Sequence, residues 1–220
     1  GIDPLPAVNE LCPSYLDFII EGEDSVVAHW LRAGADGFRL DVADELPDEF
    51  LYRLRECVHK NSDGQGIVIG EVWENAVTKT SYSNRRKYFW GSQLDSVMNY
   101  PLKNAILALL TDGDTEFFYN TVTELYASYP KPVLDSLMNI ISTHDTERAL
   151  TVLGDPEAGM DKSNEELSTL RLSPDVRREA IRMMKTASAI QYTIFGIPSL
   201  YYGDEAGLEG YHDPFRRLPF

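Results

Sequence analysis

The 220-residue sequence predicts an α/β fold, a (β/α)8 barrel of which about five strands are present. Three observations lead there. Short apolar runs alternate with longer amphipathic segments, the pattern of βα units. No G-x-G-x-x-G or phosphate-loop pattern opens a helix, as a doubly wound nucleotide-binding sheet would require. The nearest glycines, Gly64 and Gly66, precede a strand instead. Finally, polar clusters end several apolar runs, and a barrel gathers such positions on one face. A full barrel takes about 250 residues, so five strands imply an incomplete one.

The expected strands are Gly37–Asp41, Ile67–Val72, Ser96–Tyr100, Leu137–Ser142 and Pro198–Tyr202. Helices are expected between them. Ser25–Ala33 stops at Gly34, a suitable C′ residue. Pro47–Asn61 sets Phe50, Leu51, Leu54 and Val58 at helical spacing, with Asp48 and Glu49 in its first turn. Thr115–Tyr129 places Phe118, Val122, Leu125 and Tyr126 on one face. Pro174–Phe195 starts on Pro beside Asp175, and Ile181, Met184, Ala187, Ala189 and Ile190 are expected inside. No repeat, low-complexity tract or long linker interrupts the pattern.

Composition narrows the partners. Hydrophobic residues make up 43% and charged residues 25%, ordinary for a globular chain. Against 20 Lys and Arg stand 35 Asp and Glu, a formal charge of −15. Such a surface repels nucleic acid and anionic membrane but not a neutral polymer, and it also serves plain solubility. No apolar run approaches the roughly 18 residues of a membrane span. Cys12 and Cys57 lie far apart and give neither a disulfide framework nor metal-ligand spacing, so both are expected to be free. No signal peptide is visible, and the start without Met reads as the interior of a longer protein. The location stays open, with the cytoplasm preferred over secretion.

Three clusters carry chemistry. In Gly37-Phe38-Arg39-Leu40-Asp41, alternation puts Arg39 and Asp41 on one face, where the cation keeps the carboxylate ionised and oriented. The alternative is a structural ion pair. In Ile67-Val68-Ile69-Gly70-Glu71-Val72-Trp73, a Glu ends an apolar strand beside an aromatic ring. That apolar setting favours a protonated carboxyl group able to serve as a general acid, and Trp73 offers a face for sugar stacking. The alternative is a solvated Glu at a strand edge. In Ile140-Ile141-Ser142-Thr143-His144-Asp145-Thr146-Glu147-Arg148, His144 and Asp145 can hydrogen-bond vicinal hydroxyls just before an expected helix start. The alternative there is that Asp145 or Thr146 caps that helix. Two carboxylates flanking a glycosidic bond are the minimum for its hydrolysis.

The ordered set resembles the α-amylase family, glycoside hydrolase family 13. Gly37-Phe38-Arg39-Leu40-Asp41-Val42-Ala43 is similar to its fourth-strand motif, and Gly70-Glu71-Val72-Trp73 to its fifth-strand motif. Thr143-His144-Asp145-Thr146-Glu147-Arg148 resembles the seventh, and Gly196-Ile197-Pro198-Ser199-Leu200-Tyr201-Tyr202-Gly203-Asp204-Glu205 the eighth. The resemblance implies a TIM barrel present from about strand four to strand eight across residues 1–220. The first three strands and a C-terminal β-domain would belong to the parent protein. It implies Asp41 as nucleophile, Glu71 as acid/base and Asp145 as third carboxylate. Arg39 would position Asp41, His144 would hold the sugar being cleaved, and Trp73, Asp44, Glu45 and Arg148 would face substrate. The implied substrate is an α-glucan or maltooligosaccharide. No cofactor or metal is needed for the chemistry, although the full-length protein has room for a structural calcium and the parent for a homodimer.

Within that family, three features resemble the neopullulanase, cyclomaltodextrinase and maltogenic amylase group. Leu5-Pro6-Ala7-Val8-Asn9 is a partial match, with Ala7 where that group has Lys. Asp44-Glu45 stands where typical α-amylases have Lys-His, and Asn99-Tyr100-Pro101 matches at the sixth strand. A non-catalytic amylase-like partner subunit would have lost one or more of the three carboxylates, and all three are present. A carbohydrate-binding module, usually a small β-sandwich, conflicts with the long helices.

Overall fold

The computed structural model describes residues 6–157 and 160–219, so Leu5 of the partial motif lies outside the described residues. The chain divides into two units, Gly1–Met98 with Pro130–Val133 and Asn99–Tyr129 with Leu134–Phe220.

The first unit is built on a parallel three-stranded sheet. After a short helix α1 (Pro13–Leu16) and a π-turn, α2 (Val26–Arg32) starts on Ser25, whose hydroxyl accepts from Ala28 N–H at 3.3 Å. It ends as expected at Gly34, with φ +106°. Ala35 N–H returns to Trp30 C=O and Gly34 N–H to Leu31 C=O, the paired bonds of a Schellman stop. Strand β1 (Gly37–Leu40) follows, then α3 (Asp48–Lys60) and β2 (Ile67–Gly70). The predicted face of α3 is the buried one: Phe50, Leu51, Leu54 and Val58. Burying Leu51 completely contributes about 1.5–3 kcal/mol. Gly37 pairs with Ile67, and a Cβ at Gly37 would sit 2.1 Å from Ile67 C=O, so only glycine fits there. A hairpin of β3 (Thr80–Ser81) and β4 (Asn84–Arg85) precedes β5 (Ser96–Val97), which pairs with β2. Asp95 pins this register: it accepts from Val68 N–H at 2.9 Å and from Arg55 at 2.7 Å.

The second unit contains α4 (Tyr100–Thr111) and α5 (Thr115–Ser128), with α6 (Lys131–Asp135) straddling the two residue sets. It continues through β6 (Met138–Asn139), α7 (Ala149–Gly154), α8 (Asn164–Thr169), α9 (Pro174–Thr193) and β7 (Ile197–Pro198). Strands β6 and β7 are parallel, with Met138 opposite Ile197.

Four of the five expected strands are present but shorter than expected; the fifth, expected over Pro198–Tyr202, is met only at Pro198, since β7 is Ile197–Pro198, and the hairpin was not foreseen. At Ser96–Tyr100 the expected strand gives way to a helix. The strand stops at Val97, and Asn99 turns the chain by accepting from Leu102 N–H at 3.3 Å, opening helix α4. The expected face of α5 is also rotated, since Leu125 and Thr121 are buried while Tyr126 is exposed. In α9, Met184 and Ala187 are inside as expected, whereas Ala189 is exposed. Gln191 is buried instead: its amide donates to Asn139 C=O at 2.9 Å and Ser199 C=O at 3.0 Å, supporting the ends of β6 and β7. Both cysteines are free, as the sequence suggested. Among the described residues no helix is long and apolar enough to cross a membrane.

Lys103 of α4 lines a cavity of about 510 Å³ together with Asn104, Glu147, Asp155, Lys162 and His212. Burial pushes its ammonium down to about 8, against a smaller opposing pull from Glu147. Between pH 8 and 10.5 the unfolded chain holds this proton and the folded chain does not, so stability rises with pH across that window. Below pH 8 the full penalty applies, on the order of 3 kcal/mol for a shift of this size. Lys103→Met should therefore stabilise the protein by about that amount at pH 7. Paired urea melts from pH 7 to 10.5 should show the gap between variant and wild type closing. A gap that stays constant with pH would mean that the buried ammonium is not its source.

Candidate active site

The first unit carries Arg39, Asp41 and Glu71 at the C-terminal ends of β1 and β2. The register sets Leu40 beside Gly70, so the residues that follow each strand emerge together. Glu71 N–H donates to Leu40 C=O at 2.9 Å, and Glu71 Oε2 accepts from Val42 N–H at 2.7 Å. Glu71 thus grips the chain on both sides of Asp41. A single guanidinium spans both acids, with Arg39 Nη1 2.5 Å from Asp41 Oδ1 and Nη2 3.3 Å from Glu71 Oε2. Met98 Sδ accepts from Arg39 Nε at 3.4 Å and fixes the fork from behind. Asp41 is mostly exposed, its side chain 71% accessible, whereas Glu71 is only 6% exposed. One carboxylate is open to attack an incoming atom and the other is held.

The setting of Glu71 differs from the apolar one expected. Besides Val42 and Arg39, Trp73 Nε1 donates to its Oε1 at 3.0 Å. Val68 on β2 and Val72 just after it are buried, but the carboxyl group itself faces donors. Trp73 leaves 44% of its surface exposed next to that group.

Asp44 and Glu45 follow in a 3-10 turn. Asp44 is already engaged: Lys79 Nζ lies 2.7 Å from Oδ2, and Tyr88 donates its hydroxyl to Oδ1 at 2.7 Å. Burial, and after it that bond to Asp44, push the Tyr88 phenol well above its ordinary range. Asp44 thereby joins the turn to the segments that flank the hairpin. Glu45 is paired with the exposed Tyr82 hydroxyl.

The second unit carries His144, Asp145 and Arg148. His144 Nε2 lies 3.0 Å from Asp145 Oδ2, and both remain partly exposed. Arg217, which sequence reasoning did not single out, holds them. Its Nη2 is 3.3 Å from Asp145 Oδ1, its Nε donates to His144 C=O at 3.1 Å, and Asp213 pairs with it in turn. Neither Asp145 nor Thr146 caps α7. Ser142 Oγ accepts from Ala149 N–H at 2.9 Å, while Thr146 Oγ1 accepts from Thr143 N–H. Both side chains of the His-Asp pair are therefore released from capping.

Arg148 is 0% exposed, which corrects its placement against substrate. Its guanidinium lies over the rings of Tyr201 and Tyr202, at 4.4 and 4.6 Å from their centroids, and pairs with Asp204 at 3.4 Å. It also donates to Tyr202 C=O. These contacts hold the segment after β7, and none presents the cation to solvent. Among the described residues no cluster of three or more His, Cys, Asp or Glu could hold a metal ion.

The chain is similar to several known proteins. The family described as Alpha amylase, catalytic domain, matches residues 19–216. A cyclomaltodextrinase from a Bacillus species is 33% identical over 97% of this chain and 32% of its own length. An amylopullulanase from Thermoanaerobacter thermohydrosulfuricus is 31% identical over 100% of this chain and 15% of its own. The chain therefore spans a third or less of the length of these relatives. A solved structure titled cyclic alpha-maltosyl-(1→6)-maltose hydrolase, from Arthrobacter globiformis, superposes with a TM-score of 0.71 at 25% identity, covering 96% of this chain and 40% of that one.

Proposed function

The chain belongs to the alpha-amylase family, and on that footing we propose that it carries the catalytic carboxylates of a retaining glycoside hydrolase. The bonds cleaved are α-glucosidic ones in starch-type glucans, pullulan, cyclodextrins or maltooligosaccharides. The observation that carries this reading is the Arg39 bridge between an open Asp41 and a buried Glu71. A retaining pair stands about 5–5.5 Å apart, a span that one guanidinium can bridge.

Asp41 attacks the anomeric carbon and forms a glycosyl ester while Glu71, as the acid, gives its proton to the leaving oxygen. Glu71 then takes a proton from water, whose oxygen displaces Asp41 and restores it. Arg39 pairs with Asp41 and orients it for attack. His144 and Asp145, held in place by Arg217, offer donors and acceptors to sugar hydroxyls. Trp73 offers its exposed surface to a neighbouring glucose ring. Every step uses side chains alone. The names of the matched relatives, cyclomaltodextrinase and amylopullulanase, support the substrate class.

In this reading the chain supplies strands four to eight, and the rest of the parent protein supplies the first three strands, any calcium site and any dimer contact. The isolated 220-residue chain should then release little or no reducing sugar from pullulan, β-cyclodextrin or soluble starch. The intact protein should cleave at least one of them with retention of anomeric configuration, read by proton NMR. Mixing this chain with the missing barrel half should restore turnover. A folded complex that stays inactive on all three glucans would count against the catalytic reading.

A further inference from the structure

Val42 has no local reason to hold the backbone it adopts. Its φ is +46° and ψ +50°, in the left-handed region, where a β-branched residue is a true outlier. The residue is 48% exposed, so packing does not force the conformation. Two hydrogen bonds do: Val42 C=O accepts from Glu45 N–H at 3.0 Å, and Val42 N–H donates to Glu71 Oε2 at 2.7 Å. Strain of this kind persists where the surroundings over-determine it, and it clusters at functional sites.

We propose that Val42 is a positioning residue whose left-handed backbone aims its N–H at Glu71, and that this bond fixes which oxygen handles the proton. Oε2 accepts from the Val42 amide at 2.7 Å and lies 3.3 Å from the Arg39 Nη2 cation, which pairs with it without completing a hydrogen bond. A proton on Oε2 would have to point against them. Among the described residues Oε1 accepts only the longer 3.0 Å bond from Trp73, and a protonated oxygen can still accept such a bond. Oε1 is therefore the oxygen that donates to the leaving group and later takes the proton of water. Because Val42 directly follows Asp41, the same peptide sets the spacing of nucleophile and acid. This inference rests on the proposed hydrolase reading.

A side-chain change cannot remove this donor, so the test replaces the amide. Val42 is substituted in the intact protein by 2-hydroxy-3-methylbutanoic acid, which turns its N–H into an ester oxygen and leaves the side chain in place. Losing one hydrogen bond to a charged group should lower kcat on the preferred glucan about 10- to 100-fold, with KM within about twofold. On the matching glycosyl fluoride, whose leaving group needs no proton, the loss should be at least about tenfold smaller. Circular dichroism should report a folded protein. Unchanged kcat on the glucan in the folded ester variant overturns the inference while leaving the hydrolase reading intact. Equal losses on both substrates overturn it too, by placing the effect on Asp41 or on the fold. An inactive wild type, on glucan and fluoride alike, would sink the hydrolase reading and this inference together.

Discussion

Glu71→Gln in the intact protein is expected to lower the rate of glucan cleavage by about 10²–10⁴-fold, the usual contribution of a positioned general acid. The geometry makes this substitution informative. The glutamine carbonyl can still accept from Val42 N–H, so the grip around Asp41 survives. Arg39 keeps its pairing with Asp41, and the attacking carboxylate is therefore unchanged. The transferable proton is lost, and with it the ion pair to Arg39 and the bond from Trp73 Nε1, whose N–H the amide nitrogen cannot accept. The deficit should fall on kcat, with KM moving little, because a glutamine fills the same volume. It should also shrink on a glycosyl fluoride, where the leaving group departs unprotonated. Reducing-sugar release and fluoride release from one preparation provide both rates. A folded variant that cleaves glucan as fast as wild type would remove Glu71 from the acid role.

The parts of this site that the sequence revealed are the local ones. Arg39 and Asp41 are two residues apart on a strand, so alternation alone brings them to one face, and they pair. The apolar runs ending at Leu40 and Gly70 and the buried stripe of α3 followed from periodicity. What stayed hidden depends on distant partners. The Val42 amide reaches a carboxylate 29 residues on, and only its unusual φ turns it there. Arg217 reaches Asp145 across 72 residues, with no local signal apart from a basic pair near the end of the chain. Arg148, adjacent to the His-Asp cluster, reads from sequence as part of the same polar group. Its burial depends on two tyrosines and an aspartate more than fifty positions later. The start of α4 was legible in principle. Asn99-Tyr100-Pro101 is a cap followed by a first-turn proline, but it also continues the run of Ser96 and Val97, and the capping bond decides between the two.

Arg148→Met is expected to destabilise the second unit by about 3–5 kcal/mol, the cost of removing one partner from a buried pair. Methionine retains the length and much of the volume of the arginine stem, so the loss reports on charge and stacking rather than on a large cavity. Three contacts disappear together: the stack on Tyr201 and Tyr202, the bond to Tyr202 C=O, and the ion pair with Asp204. Asp204 is then left with its side chain only 3% exposed. Burial already pushes this carboxyl above its ordinary value, while Arg148 and a bond from Ser142 pull the other way. Without Arg148 the upward push grows, and between the unfolded and folded values the native state binds the extra proton. Stability of the variant therefore falls as pH rises through that interval, so its deficit against wild type is largest near neutrality and smaller in acid. Adding Asp204→Asn to Arg148→Met removes the stranded charge and should recover a substantial part of the loss, because a buried pair replaced at both ends costs far less than one broken at one end. Urea titrations of the two single variants, the double variant and wild type, at pH 5 and pH 7.5, test the argument. A double variant as unstable as Arg148→Met, with no pH dependence in either, would assign the arginine's contribution to ring stacking alone and remove the buried charge from the account.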